Sequence, residues 1–299
     1  MTKLREVRWE LDICFIILHY IVYEETIKCI ASIKKNIDSR NYKIVVVDNA
    51  SPNKSGIILK NKYKEDDIVT IISMDHNIGF AKGNNIGIDY CRQNYSPNFI
   101  CCFNNDIRLL SRDFVMQIKK EYGKSKCAVM GPRIYLKNHD LFSFHVVLND
   151  VQHYKSLKDF YQNIISGDNY AGEKNKIERH KILRKIGLLN LSRGLIRGMY
   201  FKRKNVILHG CALIFTPRFF ENYNGFNDRT FLFMEEQLLF YMCRKKNLNT
   251  VYNPKIIVRH MEDQATDAAW GVEDDEKRII KTKYMMDSLC VLIEEMEQK

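Results

Sequence analysis

Residues 99–109, FICCFNNDIRL, place five apolar residues directly before two amides and a carboxylate. A short apolar run bounded by polar residues is typical of a buried strand. In open α/β sheets, ligands bind beyond the carboxyl ends of the strands, where Asn104, Asn105 and Asp106 fall. A carboxylate at that place is suited to meet a cation or a phosphate, but Asn-Asp also forms ordinary turns. On this stretch alone, the turn is the better supported interpretation.

Similar apolar runs recur through the N-terminal half of the chain. ICFIILHY (13–20) indicates a strand that is buried on both faces, KIVVVD (43–48) a second buried strand and TIIS (70–73) a third strand. Between the first two, EETIKCIASIKKNI (24–37) has its apolar residues at helical spacing. Strands that alternate with helices predict an α/β fold with a mostly parallel sheet and right-handed crossovers.

Polar residues follow several of these predicted strands. Asp48 and Asn49 follow the second, and Asn77 follows the third. Because the carboxyl ends of parallel strands share one edge of the sheet, these side chains and Asp106 are expected to face one crevice. That clustering favours a ligand site over independent turns.

Two common ways of holding a phosphate are missing from the sequence. No GxGxxG follows the first strand, and GxxxxGK[ST] occurs nowhere, which disfavours a dinucleotide fold and a nucleoside-triphosphatase loop. A divalent cation on Asp106 would hold a phosphate instead, since hard cations prefer carboxylate and phosphate oxygens.

Composition limits the class of protein. The 299 residues are 45% hydrophobic, which allows a sizeable core, and no apolar run approaches the length of a membrane span. The N-terminal MTKLREVRWELD lacks the apolar centre of a secretion signal, so the expected location is cytoplasmic. The nine cysteines include no Cys-x-x-Cys pair, which favours reduced core thiols over disulfides or zinc.

Positive charge is concentrated in one segment. The formal net charge is +11, and residues 173–205 hold eleven Lys and Arg against two Glu, a local balance of +9. A uniformly basic nucleic-acid binder would look different, so no nucleic-acid partner is expected. IERHKILRKIGLLNLSRGLIRGMYFKRK (177–204) is either a basic amphipathic helix for an anionic membrane surface or an ordinary solvated helix.

Two features of the C-terminal half carry candidate chemistry. Glu235 and Glu236 precede the helical QLLFYMCRKK, where the helix dipole stabilises acids and where a general base is equally well placed. His260 ends the predicted strand TVYNPKIIVRH (250–260) and is either structural or a metal ligand.

Taken in order, these stretches resemble the family-2 glycosyltransferases with a GT-A fold, most of all bacterial enzymes that build capsular and O-antigen surface polysaccharides, including rhamnosyltransferase-like ones. The matching stretches are CFIILHYIVYEETIKCIASI, IVVVDNASPN, DHNIGFAKGNNIGI, FICCFNNDI, HGCALIF, GFNDRTFLFMEEQLL and YNPKIIVRH. They cover most of residues 12–135 and 207–262.

The resemblance implies a Rossmann-like GT-A domain over 1–262, with a mostly parallel central sheet flanked by helices. Within it, 12–135 is the nucleotide-sugar-binding half, 137–205 a basic, helical insertion and 206–262 the half with the acceptor site and the catalytic base. Residues 263–299 are a C-terminal helical tail.

The resemblance also assigns roles to residues. The implied contacts to the nucleotide sugar are Leu18, Tyr20, Asp48, Asn49, Asn77, Gly79, Gly83, Asn85, Asn104, Asn105 and Asp106. Asp106 and His260 are the implied ligands of Mg²⁺ or Mn²⁺, and His209 and Gly210 the implied acceptor contacts. Glu235 and Glu236 stand at the family's acidic pair, with Glu236 preferred as the base.

The implied reaction is an inverting transfer from a UDP-, dTDP- or GDP-sugar to a saccharide or lipid-linked acceptor, in the cytoplasm or peripherally at the inner face of the plasma membrane. Three places depart from the family pattern. His19 replaces the usual Asn or Thr, the metal motif has one carboxylate, and Gln237-Leu238 lacks a third acid. Two alternatives are a sugar-phosphate nucleotidyltransferase and a non-catalytic basic module that binds membranes or nucleic acid.

Overall fold

The computed structural model describes residues 11–136, 140–141, 144–145, 148–166, 200–261 and 275–298. The strands are β1 Ile13–His19, β2 Tyr42–Asp48, β3 Val69–Ser73, β4 Phe99–Asn104, β5 Ile107–Leu109, β6 Val129–Tyr135, β7 Asp140–Leu141, β8 Phe144–His145, β9 Arg203–Lys204, β10 Ile207–Leu208, β11 Ala212–Phe215 and β12 Thr250–His260. The helices are α1 Tyr23–Asn36, α2 Ser55–Lys62, α3 Phe80–Asn94, α4 Phe114–Ser125, α5 Val151–Ser166, α6 Pro217–Phe220, α7 Glu235–Lys245 and α8 Asp275–Glu297.

A largely parallel sheet forms the centre of the molecule, in the order β3-β2-β1-β4-β11-β6-β12-β5. The first four strands are mutually parallel, as the alternation of strands and helices predicts. β11 then runs antiparallel to both β4 and β6, while β12 is parallel to β6. The carboxyl ends of β1 to β4 therefore lie at one edge.

Strand alternation divides the core into two layers. In β1, Phe15 and Ile17 point into a layer with α1 and α4, whereas Cys14 and Ile16 point into a layer with α3 and α7. This is why the strand is apolar at consecutive positions: helices cover both faces of the sheet. All nine cysteines are free and eight are buried, which confirms their expected place in the core.

A third apolar cluster attaches the C-terminal helix. Leu289 and Leu292 of α8 pack with Tyr154 of α5 and Leu238 of α7. The expected helix in the C-terminal tail is therefore present. Within the described residues, no helix has both the length and the apolar character needed to cross a membrane.

The central part of the chain differs from a wholly helical insertion. α5 is helical, but residues 200–204 are not: Arg203 and Lys204 form a strand that pairs with Val251 and Tyr252 of β12. The expected helix over 177–204 is wrong for these last residues because β12 offers main-chain partners at its edge. The rest of that prediction lies outside the described residues.

Candidate functional site

The turn at the end of β4 contains Asn105 and Asp106, for which the sequence allowed two interpretations, an ordinary turn and a ligand site. Asn105 and Asp106 form the turn between β4 and β5, as the turn interpretation predicts. The Asn105 amide donates to the Val22 carbonyl (3.2 Å) and to Thr26 Oγ1 (3.3 Å), so this side chain holds the start of α1. Its predicted contact with a nucleotide sugar remains a prediction.

Asp106 lies beside His260, the residue that ends β12. Asp106 is only 3% exposed, and its Oδ1 lies 3.2 Å from His260 Nε2. The contact does not meet hydrogen-bond geometry, and Oδ1 has no hydrogen-bond partner among the described residues. A buried carboxylate oxygen normally has a partner, so this one is suited to bind a ligand or cation.

The pair fits a divalent cation that takes its other ligands from a substrate. No group of three or more His, Cys, Asp or Glu side chains is arranged for a metal within the part of the chain that the structure describes. Mg²⁺ and Mn²⁺ sites in phosphate-transferring proteins often use one or two protein ligands together with substrate phosphates and water. Asp106 and His260 could offer one oxygen and one nitrogen to such a site, and their predicted role as metal ligands stays a prediction.

The Asn49 side chain fixes the loop between β3 and α3. Its Nδ2 donates to Asn77 Oδ1 (2.9 Å) and to the Gly79 carbonyl (3.1 Å), and its Oδ1 accepts from the Ile78 amide (3.0 Å). Asn77 Oδ1 also accepts from the Gly79 amide. The two amides therefore shape the crevice, and their predicted contact with a nucleotide remains untested.

Two glycines allow α3 to approach its neighbours. Gly79 has φ +86°, and a Cβ there would lie 2.3 Å from the Phe231 carbonyl oxygen, which accepts from the Phe80 amide. A Cβ on Gly83 would lie 2.6 Å from Leu18 Cδ1. The loop before α7 is thus held directly against the start of α3.

Asn85 makes two hydrogen bonds to the main chain of Phe226, and its predicted contact with a nucleotide sugar stays a prediction. Its Oδ1 accepts from the Phe226 amide (2.8 Å) and its Nδ2 donates to the Phe226 carbonyl (2.9 Å). Both hydrogen-bonding atoms of the side chain are thereby used to join α3 to the loop that precedes α7.

Asp48 and His19 organise the ends of β2 and β1. Asp48 Oδ1 accepts from the amide (3.1 Å) and hydroxyl (2.6 Å) of Ser51. His19 is fully buried, with Nδ1 2.7 Å from Thr26 Oγ1 and Nε2 2.8 Å from Ser55 Oγ. Burial lowers the pKa of His19 to about 4, against the opposing effect of Asp48, so the ring is neutral at pH 7. His19, one of the departures from the family pattern, therefore links β1 to α1 and α2.

We expect this histidine to make the fold sensitive to acid. Because the folded pKa lies below the ordinary value of 6.5, the unfolded chain takes up a proton first as the pH falls. The contribution of neutral His19 to the free energy of unfolding is fully present above pH 6.5 and is lost as the pH falls towards 4. At pH 5 the loss is roughly 2 kcal/mol in the free energy of unfolding. Urea unfolding of the parent and of His19→Gln, each at pH 7 and pH 5, measures this loss of stability.

The matched control is His76→Gln, because His76 is exposed and lies on the loop after β3. His19→Gln should be less stable at pH 7 yet lose about 2 kcal/mol less than the parent between pH 7 and pH 5. His76→Gln should follow the parent. An equal loss in the parent and His19→Gln would show that another group causes the acid sensitivity.

A cavity of about 270 Å³ lies beside the end of β4 and collects residues from distant parts of the chain, although Asp48, Asn49, Asn77 and Asp106 do not line it. Its lining includes Asn104 at the end of β4, His209 and Gly210 before β11, and Glu235 and Glu236 at the start of α7. Residues that the sequence did not single out also line it: Phe80, Cys211, Leu232, Phe233, Met234, Gln237 and Met285. Phe80 and Leu232 lie inside matching motifs, but nothing in the sequence pointed to Met285.

The two glutamates occupy different environments. Glu236 Oε1 accepts from the Gly210 amide at 3.0 Å, and a Cβ on Gly210 would lie 2.9 Å from the same oxygen. Glu235 is 7% exposed, and its Oε1 has no hydrogen-bond partner among the described residues. Burial, and then the Glu236 carboxylate, raises the pKa of Glu235 to about 8. Glu235 is therefore protonated at pH 7.

Cys211 connects the two halves of this site. Burial, followed by the nearby carboxylates of Asp106 and Glu236, raises the pKa of its thiol. Asp106 and Glu236 therefore both lie in the neighbourhood of Cys211, although 130 positions separate them in the sequence. The rings of His209 and His260 lie close to each other, with centroids 6.1 Å apart, and so bring the residue before Gly210 next to the neighbour of Asp106.

The acidic pair follows a strained loop that α8 supports. Phe233 and Met234 have φ values of 77° and 62°, in the left-handed region that side chains rarely adopt. Ser288 Oγ of α8 donates to the Leu232 carbonyl (2.8 Å), and Tyr284 stacks on Phe231 at 4.7 Å between centroids. The C-terminal helix therefore forms one side of the cavity.

Comparison with known proteins gives the family. The model of glycosyl transferase family 2 matches residues 14–187, more than half of the chain, and the chain belongs to that family. Among curated proteins, none matches the sequence significantly.

Solved structures support the GT-A fold. GalNAc-T7 with UDP, GalNAc and Mn²⁺ aligns over 89% of this chain and 45% of its own, with 10% identity and a TM-score of 0.58. TarS 1–349 from S. aureus aligns over 91% of this chain and 72% of its own, with 12% identity and a TM-score of 0.50. TarS 1–349 with UDP-GlcNAc aligns over 42% of this chain and 35% of its own, with 15% identity and a TM-score of 0.37. The chain thus spans less than half the length of two of these three.

Proposed function

We propose that this protein is an inverting glycosyltransferase that moves a sugar from a nucleoside-diphosphate sugar to a hydroxyl group of a saccharide or lipid-linked acceptor. The observation that carries the proposal is the series of contacts from Asp106 through His260 and His209 to Gly210 and Glu236, the last three of which line one cavity with Glu235. Family membership supports the reaction class and favours it over a sugar-phosphate nucleotidyltransferase.

Glu236 is the residue we assign as the general base. A sugar hydroxyl is a weak nucleophile, so a carboxylate must accept its proton while the new glycosidic bond forms. Glu235, with its pKa near 8, already carries a proton at pH 7 and is a poor acceptor. The Gly210 amide holds Glu236 by one oxygen, which leaves the second oxygen for the acceptor hydroxyl.

Asp106 and His260 are assigned to the diphosphate side of the reaction. A divalent cation held by them would supply a Lewis acid for the charge that develops on the departing nucleoside diphosphate. A base on one side of the anomeric carbon and charge neutralisation on the other suit a single displacement with inversion. No covalent nucleophile is needed in that scheme.

Two other observations support the proposed donor and the proposed biological setting. GalNAc-T7, whose fold this chain shares, was crystallised with UDP, GalNAc and Mn²⁺, which supports a UDP-sugar as the first donor to test. Surface polysaccharide synthesis at the inner face of the plasma membrane is the setting we propose, on the motif resemblance described above.

A panel of nucleotide sugars tests the proposal. UDP-, dTDP- and GDP-sugars are added with and without Mn²⁺, and the melting temperature (Tm) is measured. A cognate donor at about 100 times its Kd should raise Tm by roughly 5 °C, and the shift should depend on Mn²⁺. Release of the nucleoside diphosphate on adding saccharide acceptors then tests transfer. If every donor leaves Tm unchanged in both conditions, the proposed function is wrong.

A further inference from the structure

A second surface of the molecule combines exposed cations with exposed aromatic rings. It surrounds a cavity of about 310 Å³ between α4, residues 200–202 and the bend in β12. We define it as the basic-aromatic face by six of its residues: Lys120, Lys124, Tyr200, Phe201, Lys202 and Lys255. It shares no lining residue with the cavity beside Glu235 and Glu236.

The charge of this face is mostly uncompensated. Glu121 is the acid in its lining, and both of its oxygens accept from Lys202 Nζ at 3.1–3.2 Å. Lys120, Lys124 and Lys255 are exposed and form no ion pair with the described residues. Three ammonium groups therefore remain available to an anionic partner.

The aromatic residues are held outward. Tyr200 is 56% exposed and Phe201 63% exposed, which is unusual for rings of this size. The guanidinium of Arg133 lies over the Tyr200 ring at 4.1 Å and over the Tyr135 ring at 4.7 Å, so the position of Tyr200 is fixed. Met116, 53% exposed, lies one helical turn before Lys120 on α4.

We infer that the basic-aromatic face docks on an anionic lipid surface. Lysines attract acidic headgroups, and aromatic rings such as Tyr insert at the boundary between headgroups and acyl chains. The mixture of lysine with Tyr, Phe and Met fits that boundary better than it fits a purely electrostatic partner. The segment from Tyr200 to Gly210 connects this face to the cavity that contains the candidate acceptor residues His209 and Gly210.

Vesicle sedimentation with the full chain tests the inference. Vesicles of phosphatidylcholine alone are compared with vesicles that contain 30% phosphatidylglycerol, at low and at physiological salt. Binding should require the anionic lipid and weaken with salt. Lys120→Gln/Lys124→Gln should lower the partition coefficient roughly thirty-fold, because each lysine near the surface contributes about fivefold. Tyr200→Ser/Phe201→Ser should lower the binding that persists at physiological salt.

The matched control is Lys60→Gln/Lys62→Gln on α2, because these exposed lysines also lie beside exposed apolar residues, Ile57 and Ile58. The control should bind like the parent. Equal losses in both lysine pairs, or no vesicle binding by the parent, would overturn the inference. A third result would also overturn the inference: single-stranded oligouridine binds through Tyr200 and Phe201, and vesicles do not compete for that binding. Circular dichroism melting confirms that each variant is folded.

Discussion

Glu236→Gln is expected to lower kcat by roughly 10²- to 10⁴-fold while leaving the Kd of the donor unchanged. The substitution keeps the shape of the side chain and its acceptor oxygen for the Gly210 amide, but the amide cannot take a proton. The loss should therefore appear in the transfer step alone. Single-turnover transfer and calorimetric titration of the donor separate the two quantities.

Glu235→Gln is the matched control for this prediction. Because Glu235 is already protonated at pH 7, a neutral amide resembles its native state, and the variant should keep most of its activity there. Above pH 8 the parent ionises Glu235 and the variant does not, so their pH profiles should separate at that point. Loss of activity in Glu235→Gln with retention in Glu236→Gln would reverse the assignment of the base.

Asp106→Asn should reduce transfer by roughly a hundredfold or more and remove the Mn²⁺ dependence of donor binding. The amide has nearly the same size as the carboxyl group, so the buried turn between β4 and β5 should fold normally. What disappears is the negative charge that would hold a cation against the diphosphate. Donor titrations with and without Mn²⁺, together with Mn²⁺ binding measured by electron paramagnetic resonance, test the two effects separately.

Asp67→Asn serves as the comparison, since Asp67 is an exposed carboxyl group before β3. It should behave like the parent in both measurements. If Asp106→Asn still turns over with an unchanged Mn²⁺ dependence, the cation is bound elsewhere and the assignment of Asp106 is wrong. If instead its Tm falls sharply, the residue is needed for folding, and Asp106→Glu would then test the charge alone.

The sheet was predictable because a strand buried on both faces has apolar residues at consecutive positions in the sequence. Consecutive apolar residues occur where helices cover both sides of a strand, as in β1, β2 and β4, and these three strands were placed correctly. β3 was also placed correctly, although it lies at the edge of the sheet and is mostly half-buried. The shared edge followed from parallel pairing alone. The turn at Asn105 was also correct, because Asn-Asp favours turns whatever lies nearby.

Side-chain directions were not predictable in the same way. Asn85 and Asn105 belong to the matching motifs, yet their amides bond to the main chain of Phe226 and Val22. A motif reports that an amide is needed but not whether the partner is a ligand or another loop. Met285 gave no signal, because its role depends on where α8 packs.

The support that α8 gives to the loop at Phe231 and Leu232 has a practical consequence for anyone dividing this protein into pieces. The family match stops at residue 187, so a fragment cut at that boundary would lose both glutamates and the helix that holds their loop. Any fragment meant to keep the candidate site therefore has to extend through α8, which carries Met285.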